Sequence, residues 1–240
     1  MPNAIGFLLL QNYRDLGAAV PIKPRSTRRH RRGPRQTTVN GWHDRSMGKT
    51  YPGIDDSLRS WLSRQPMFFV GTAPLSGDGS VNVSPKGMAG TFAVLTAHRV
   101  AYLDYTGSGA ETIAHLRENG RIVLMFCAFD GPPKIVRLHG TGRVVLAREP
   151  EFAELRPAFG KDLTAGQRSA VVVDLSRISD SCGYAVPLMD FRDDRDLLDR
   201  WEERHDDAFF PEYWRQRNAA SIDGLRAMDV PAPNGPAATG

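Results

Sequence analysis

Cysteine is scarce in this 240-residue chain: Cys127 and Cys182 are the whole supply. Two thiols build neither a disulfide framework nor a four-cysteine zinc site. A reducing compartment, the cytoplasm, is therefore expected. No apolar run approaches the roughly 20 residues a membrane helix needs, so no membrane partner is expected. The histidines, cysteines and carboxylates nowhere fall at metal-ligand spacing. No G-x-S-x-G elbow presents a serine nucleophile. What is present is an apolar fraction of 41%, enough for a real core, and an ordinary 24% of charged residues.

The formal charge of +4 hides an asymmetry. Residues 1–46 carry nine Lys/Arg and two acids, a net +7, which leaves −3 for the rest of the chain. The run from Arg25 to Arg35 is basic, proline-flanked and without hydrophobic period, so 1–46 is expected to be an unfolded leader. Met47 stands immediately before the ordered pattern and is an alternative start; a cleaved targeting leader is another reading. Arginine density suits phosphate contact, but no aromatic residues interleave the run, and nucleic acid is not the expected partner.

From Met47 the patterns become regular. Ile54, Leu58, Trp61 and Leu62 give one apolar face to a helix over 54–65, closed by Pro66. Phe68–Ala73 and Ser80–Ser84 read as a hairpin around the turn Ser76-Gly77-Asp78-Gly79. Phe92–Thr96 and Arg99–Tyr105 read as a second hairpin turning at Ala97-His98. A helix is expected over Gly109–Glu118, ended by Asn119-Gly120. Ile122–Phe129, Lys134–Leu146 and Ala170–Ile178 read as strands, with bends at Gly140 and Gly142. A short helix is expected over Pro150–Phe159. Asp194–Asn218 reads as helical, broken at Pro211. From Met228 the Pro/Ala/Gly composition predicts a frayed tail. The expected organisation is a leader (1–46), a domain (47–225) and a tail (226–240). The class is mainly β with flanking helices (α+β), with six or more mostly antiparallel strands in a small barrel.

Two stretches carry the chemistry. Asn82-Val83-Ser84-Pro85-Lys86-Gly87 and Asp104-Tyr105-Thr106-Gly107-Ser108-Gly109-Ala110-Glu111-Thr112 each follow a strand-like run, and the second opens a helix. Lys86 is a point charge on a flexible stem. Ser84, Thr106, Ser108 and Thr112 bring hydroxyls. Gly107 and Gly109 leave backbone N–H groups unshielded beside a helix start. That set suits an organic phosphate. The competing reading is structural: Ser108 and Glu111 spell a capping box, and Ser84-Pro85-Lys86-Gly87 is an ordinary turn sequence.

The order and spacing of Met67–Pro74, Val83–Gly87, Ala101–Asp104, Thr106–Gly109 with Glu111-Thr112, Leu124–Phe129 and Ser181–Pro187 resemble the pyridoxamine 5′-phosphate oxidase-related family. The nearest subgroup is known only as flavin-nucleotide-binding proteins. The resemblance implies a six-stranded antiparallel split barrel of the FMN-binding type. It also implies a homodimer with FMN at the interface and oxidoreductase chemistry on a small molecule. Carried over, Ser84, Lys86, Thr106 and Ser108 would hold the phosphate and ribityl end, with Asp104, Gly107 and Thr112 in the same stretch. Pro85 and Gly87 would line the ring. Arg137 falls where family members often place a polar flavin contact; an outward ion-pair role is the alternative. True pyridoxamine phosphate oxidases end in a basic substrate-gripping segment. Trp201–Asp207 here is acidic, which argues against vitamin B6 oxidation. A flavin-holding module without turnover, or the same fold with haem or a deazaflavin, are the other readings. No catalytic acid or base is named. His115 and His139 are weak candidates, and Cys127 is expected to be buried and inert.

Overall fold

The computed structural model describes residues 48–206 and 208–230; the leader expected over 1–46 lies outside them, as do residues 207 and 231–240. Among the described residues eight strands are formed: β1 (Thr50–Tyr51), β2 (Met67–Thr72), β3 (Asn82–Gly87), β4 (Phe92–Thr96), β5 (Arg99–Tyr105), β6 (Arg121–Cys127), β7 (Ile135–Leu146) and β8 (Gln167–Ser181). Five α-helices accompany them within the described residues: α1 (Asp56–Ser63), α2 (Glu111–Glu118), α3 (Pro150–Leu155), α4 (Leu197–Glu203) and α5 (Phe209–Arg217).

The strands form one sheet in the order β3-β2-β6-β7-β8-β5-β4, with β1 on β8, and every pairing is antiparallel. Strands five places apart in a flat sheet would be separated by about 24 Å. Yet Phe68 of β2 meets Phe92 of β4 with ring centroids 5.4 Å apart, and Tyr102 of β5 at 5.5 Å. The sheet therefore curls until its ends face each other, as a split barrel requires. Phe68, Val70, Tyr102, Leu124, Phe126, Leu138 and Val171 fill the interior. The six-strand count is corrected to seven in the main path plus β1, a two-residue edge too short to show a hydrophobic period.

Gly140 sits where the β7–β8 register shifts, and a Cβ there would overlap the Asp174 carbonyl. The bend expected at that glycine is a bulge. α1 starts where Asp55 accepts from the Leu58 N–H at 2.7 Å.

Four local expectations are corrected. β3 runs on through Ser84-Pro85-Lys86-Gly87, with Pro85 opposite Phe69, so this stretch is a strand and not a turn. Proline is tolerated because β3 is an edge, where a missing N–H breaks no ladder. The Ser108 capping box does not form: Ala110 is the N-cap, without a side-chain bond, and Glu111 accepts from the Ile222 N–H instead. Pro211 lies in the first turn of α5, where its absent N–H has no intrahelical partner to lose; the break falls between Glu203 and Phe209. Met228, expected in a frayed tail, is 4% exposed and donates its N–H to the Asn218 carbonyl at 3.0 Å.

Candidate functional site

Period-two alternation along β3 turns Asn82, Ser84 and Lys86 to one face and leaves Val83 and Pro85 exposed on the other. The inward face meets β5 and α2. Lys86 Nζ reaches Asp104 Oδ1 at 2.7 Å. Asp104 is only 2% exposed, and its other oxygen accepts from Arg168 Nε, also at 2.7 Å. Burial by itself would raise the Asp104 pKa. The Arg168 guanidinium and then the Lys86 ammonium overcome that and hold the carboxyl well below the usual carboxylate range. Two cations on one carboxylate leave a net +1. Arg168 is the buried member and Lys86 the one whose side chain, 24% exposed, reaches the open side.

Arg168 also donates to the Gly109 carbonyl at 2.8 Å and to Asn218 Oδ1 at 2.9 Å; Asn218 Nδ2 donates to the Gly107 carbonyl at 3.0 Å. These bonds pull two carbonyls of the Gly107-Ser108-Gly109 loop inward. Across a trans peptide the C=O of one residue and the N–H of the next point opposite ways. The N–H groups of Ser108 and Ala110 are thus turned away from the Arg168 and Asn218 side chains that hold the two carbonyls, and both residues line the cavity. The loop shows backbone donors and hides backbone acceptors, which favours an anion.

The cavity holds about 1120 Å³. Ser84, Pro85, Lys86, Gly87, Thr106, Gly107, Ser108 and Thr112 all line it, so eight of the ten sequence-derived positions meet around one cavity. Asp104 lies behind that wall, clamped by the two cations. Arg137 does not line the cavity: it pairs with Met125 and Ser179 across the sheet and donates to Ser181 Oγ at 2.9 Å. The Thr106 hydroxyl is engaged away from any ligand: it donates to the Gly166 carbonyl at 2.7 Å and accepts from Trp214 Nε1 at 2.9 Å.

Opposite this wall runs the segment 189–195, tied down where Met189 donates to the Phe129 carbonyl at 2.9 Å and Ala89 to Asp194 Oδ2 at 3.0 Å. Met88, between the two walls, holds φ at +70°, a conformation costing about 1–3 kcal/mol outside glycine. Thr91 Oγ1, 2.9 Å from both the Gly87 and Met88 carbonyls, braces it.

Sequence reasoning missed Asn82, Arg168, Asn218 and Trp214. Asn82 was visible as the first member of the Asn-x-Ser-x-Lys alternation. Arg168 and Asn218 meet this loop only through the fold. His115 proves fully buried, and burial lowers its pKa against the pull of Asp223, Glu118 and Glu111. Cys127 is buried with its thiol pKa raised by burial, as expected. Among the described residues no group of three or more metal-ligating side chains occurs, and no helix is long and apolar enough to cross a membrane.

The profile of pyridoxamine 5′-phosphate oxidase matches residues 54–182, more than half of the chain. The pyridoxamine 5′-phosphate oxidase family protein ustO of Aspergillus flavus is 42% identical over 192 residues, covering 74% of this chain and 77% of that protein. Among solved structures, HupZ of Group A Streptococcus shares 17% identity with a TM-score of 0.40, covering 52% of this chain and 91% of its own. The FAD binding protein from Mycobacterium smegmatis shares 18% identity with a TM-score of 0.38, covering 53% and 94%.

Proposed function

The chain belongs to the pyridoxamine 5′-phosphate oxidase family, and on that premise we propose that it is a flavoprotein that binds FMN and oxidises or reduces a small molecule. One observation carries this reading: Lys86, Asp104 and Arg168 place a net +1 beside a loop whose carbonyls are drawn back. A phosphate monoester bears about −1.5 to −2 at neutral pH and offers only acceptors. Lys86, the Thr112 hydroxyl and the N–H groups of Ser108 and Ala110 match it donor for acceptor.

Pro66, Met67, Met88 and Phe129 supply apolar lining for a flat ring. The volume of about 1120 Å³ exceeds the roughly 300–1,000 Å³ of a pocket for one drug-sized ligand, which leaves room for a substrate beside the ring. FMN, once bound, supplies the electron chemistry. The chain's residues bind, orient and exclude water; the 189–195 segment closes the side away from the phosphate. Pyridoxamine phosphate is not the proposed substrate, because the acidic stretch that begins at Trp201 closes α4 and buries Glu202 instead of presenting a cationic grip.

The proposal extends to a homodimer with FMN held between two copies of the chain. Val81 (73% exposed) and Val83 (65% exposed) lie at and beside the free edge strand β3, next to the phosphate wall, and offer an apolar contact for a second copy.

The test is the visible spectrum of the protein freshly purified from cells, with the released ligand identified by mass. A flavin spectrum with FMN released supports the reading. A haem or deazaflavin spectrum keeps the fold and replaces the chemistry. A colourless protein that takes up no added FMN refutes it. Tight FMN that neither nicotinamide nucleotide nor any tested substrate reduces favours a holding module without turnover.

A further inference from the structure

A second cavity, of about 460 Å³, shares no lining residue with the one described above. Its size falls within the roughly 300–1,000 Å³ of small-molecule sites. Three of its lining residues are arginines drawn from separate stretches of the chain. Arg148 stands in the turn between β7 and α3, Arg215 in the last turn of α5, and Arg226 at the Ala220–Arg226 bridge. Ala219, Met228 and Asp229 line the hollow beside them.

The carboxylates at hand do not balance this convergence. Asp229 serves two arginines, accepting from Arg226 Nε at 2.6 Å and from Arg117 Nη1 at 2.7 Å. Glu212 pairs with Arg215 at 2.6 Å. Arg148 has no side-chain partner among the described residues. Glu149, next to it in the chain, turns its carboxylate back to the Leu146 N–H at 3.1 Å. Four guanidinium groups therefore meet two carboxylates, an excess of +2.

Local reasons account for part of this. A cation in the last turn of a helix faces its free carbonyls, which suits Arg215. Arg226 and Asp229 make an exposed pair three residues apart, which contributes little by itself. Neither reason brings Arg148 to the same hollow. A concave surface lined by one sign of charge concentrates its field on the space it encloses. Guanidinium forks also match the oxygens of a phosphate two at a time. Among the described residues no aromatic side chain lines the hollow to stack a base, so recognition rests on the anionic group.

We propose that this hollow is a second anion site, taking the phosphate or pyrophosphate group of a small molecule across Arg148, Arg215 and Arg226. It is separate from the wall at Lys86 and does not depend on what that wall binds. An anion held there ties α5 and the stretch around Arg226 to the turn after β7.

The probe is inorganic pyrophosphate, added to the full-length protein and followed by thermal melt against potassium chloride of equal ionic strength. By mass action, pyrophosphate at about ten times its Kd should raise the melting temperature by about 3–6 °C, and the rise should saturate. Lys86→Ala, which removes the open-side cation of the first site, should keep the shift. Arg148→Ala and Arg226→Ala should each weaken the apparent affinity about tenfold, as loss of a charge-assisted hydrogen bond does. Both side chains are exposed, so these variants are expected to fold. Arg99→Ala removes an exposed arginine elsewhere and should change the affinity less than about twofold. No saturable shift in the native protein, or one that Lys86→Ala abolishes, would overturn the proposal. So would a shift that survives both Arg148→Ala and Arg226→Ala, because binding to the basic run at 25–35 or a general salt effect would leave it intact.

Discussion

Lys86 and Arg168 hold the same carboxylate, at 2.7 Å each, yet their removal should have different consequences. Lys86 faces the cavity; its loss leaves Asp104 still paired with Arg168. Lys86→Ala should therefore cost little stability, because one cation continues to neutralise the buried charge. It should cost much phosphate affinity, because the net +1 of the cluster falls to zero. A unit charge about 4 Å from another at an effective dielectric of about 20 interacts by roughly 4 kcal/mol. Desolvation offsets part of that, leaving the roughly 1.5–3 kcal/mol typical of a charged hydrogen bond. At about 1.4 kcal/mol per decade, FMN affinity should fall about ten- to hundredfold while riboflavin affinity changes little. Arg168→Ala is the contrasting case. It strips a buried carboxylate of its buried cation and releases the Gly109 carbonyl and Asn218. Breaking a buried pair in this way costs roughly 3–5 kcal/mol, so thermal stability should fall sharply, by about 6–20 °C at roughly 2–4 °C per kcal/mol. Fluorescence titration of both ligands and a thermal melt of each variant read the two effects. The reasoning is refuted if Lys86→Ala binds FMN as tightly as the native protein, or if riboflavin affinity drops as far as FMN affinity.

Other outcomes follow from single features. Glu202 is fully buried, and desolvation, then the nearby Asp199 charge, raises its pKa from 4.5 to about 8. The native state thus holds a proton that the unfolded state releases, so this group's contribution to stability declines as pH rises from about 4.5 to about 8. Glu202→Gln should flatten that decline and raise the melting temperature at pH 8; an unchanged pH slope would show that the carboxyl is solvated. Gly140→Ala, whose Cβ would overlap the Asp174 carbonyl at the bulge, should lose about 1–3 kcal/mol in a denaturant titration, and a neutral result would mean the bulge can shift. Val83→Glu, on the outer face of the edge strand, should leave the monomer folded and lower the mass seen by light scattering from two chains to one; a species already monomeric in the native protein would dismiss that surface.

Much of the architecture was legible along the chain. β4 and β5 fall at the apolar runs Phe92–Thr96 and Arg99–Tyr105, and β5 is buried on both faces from Val100 to Tyr105. The capping box at Ser108 and the break at Pro211 misled for one reason: both are local signals that tertiary contacts overrode. Glu111 found the Ile222 N–H, and the proline found a helix start.

The sequence by itself determined the strand order along the chain, the phosphate-suited residue types at Ser84–Gly87 and Thr106–Thr112, and the family. These are short-range facts, set by alternation and by the chemistry of neighbouring side chains. Only the tertiary structure decided how they combine. The curl of the sheet brings β3 against β5, so that Lys86 meets Asp104 across 18 positions, and the pairing of β5 with β8 brings Arg168 to the same carboxylate across 64. The C-terminal Asn218 reaches back 111 residues to fix the Gly107 loop. A buried charge must be paired wherever the fold encloses it, and no local pattern in the chain names a partner that far away.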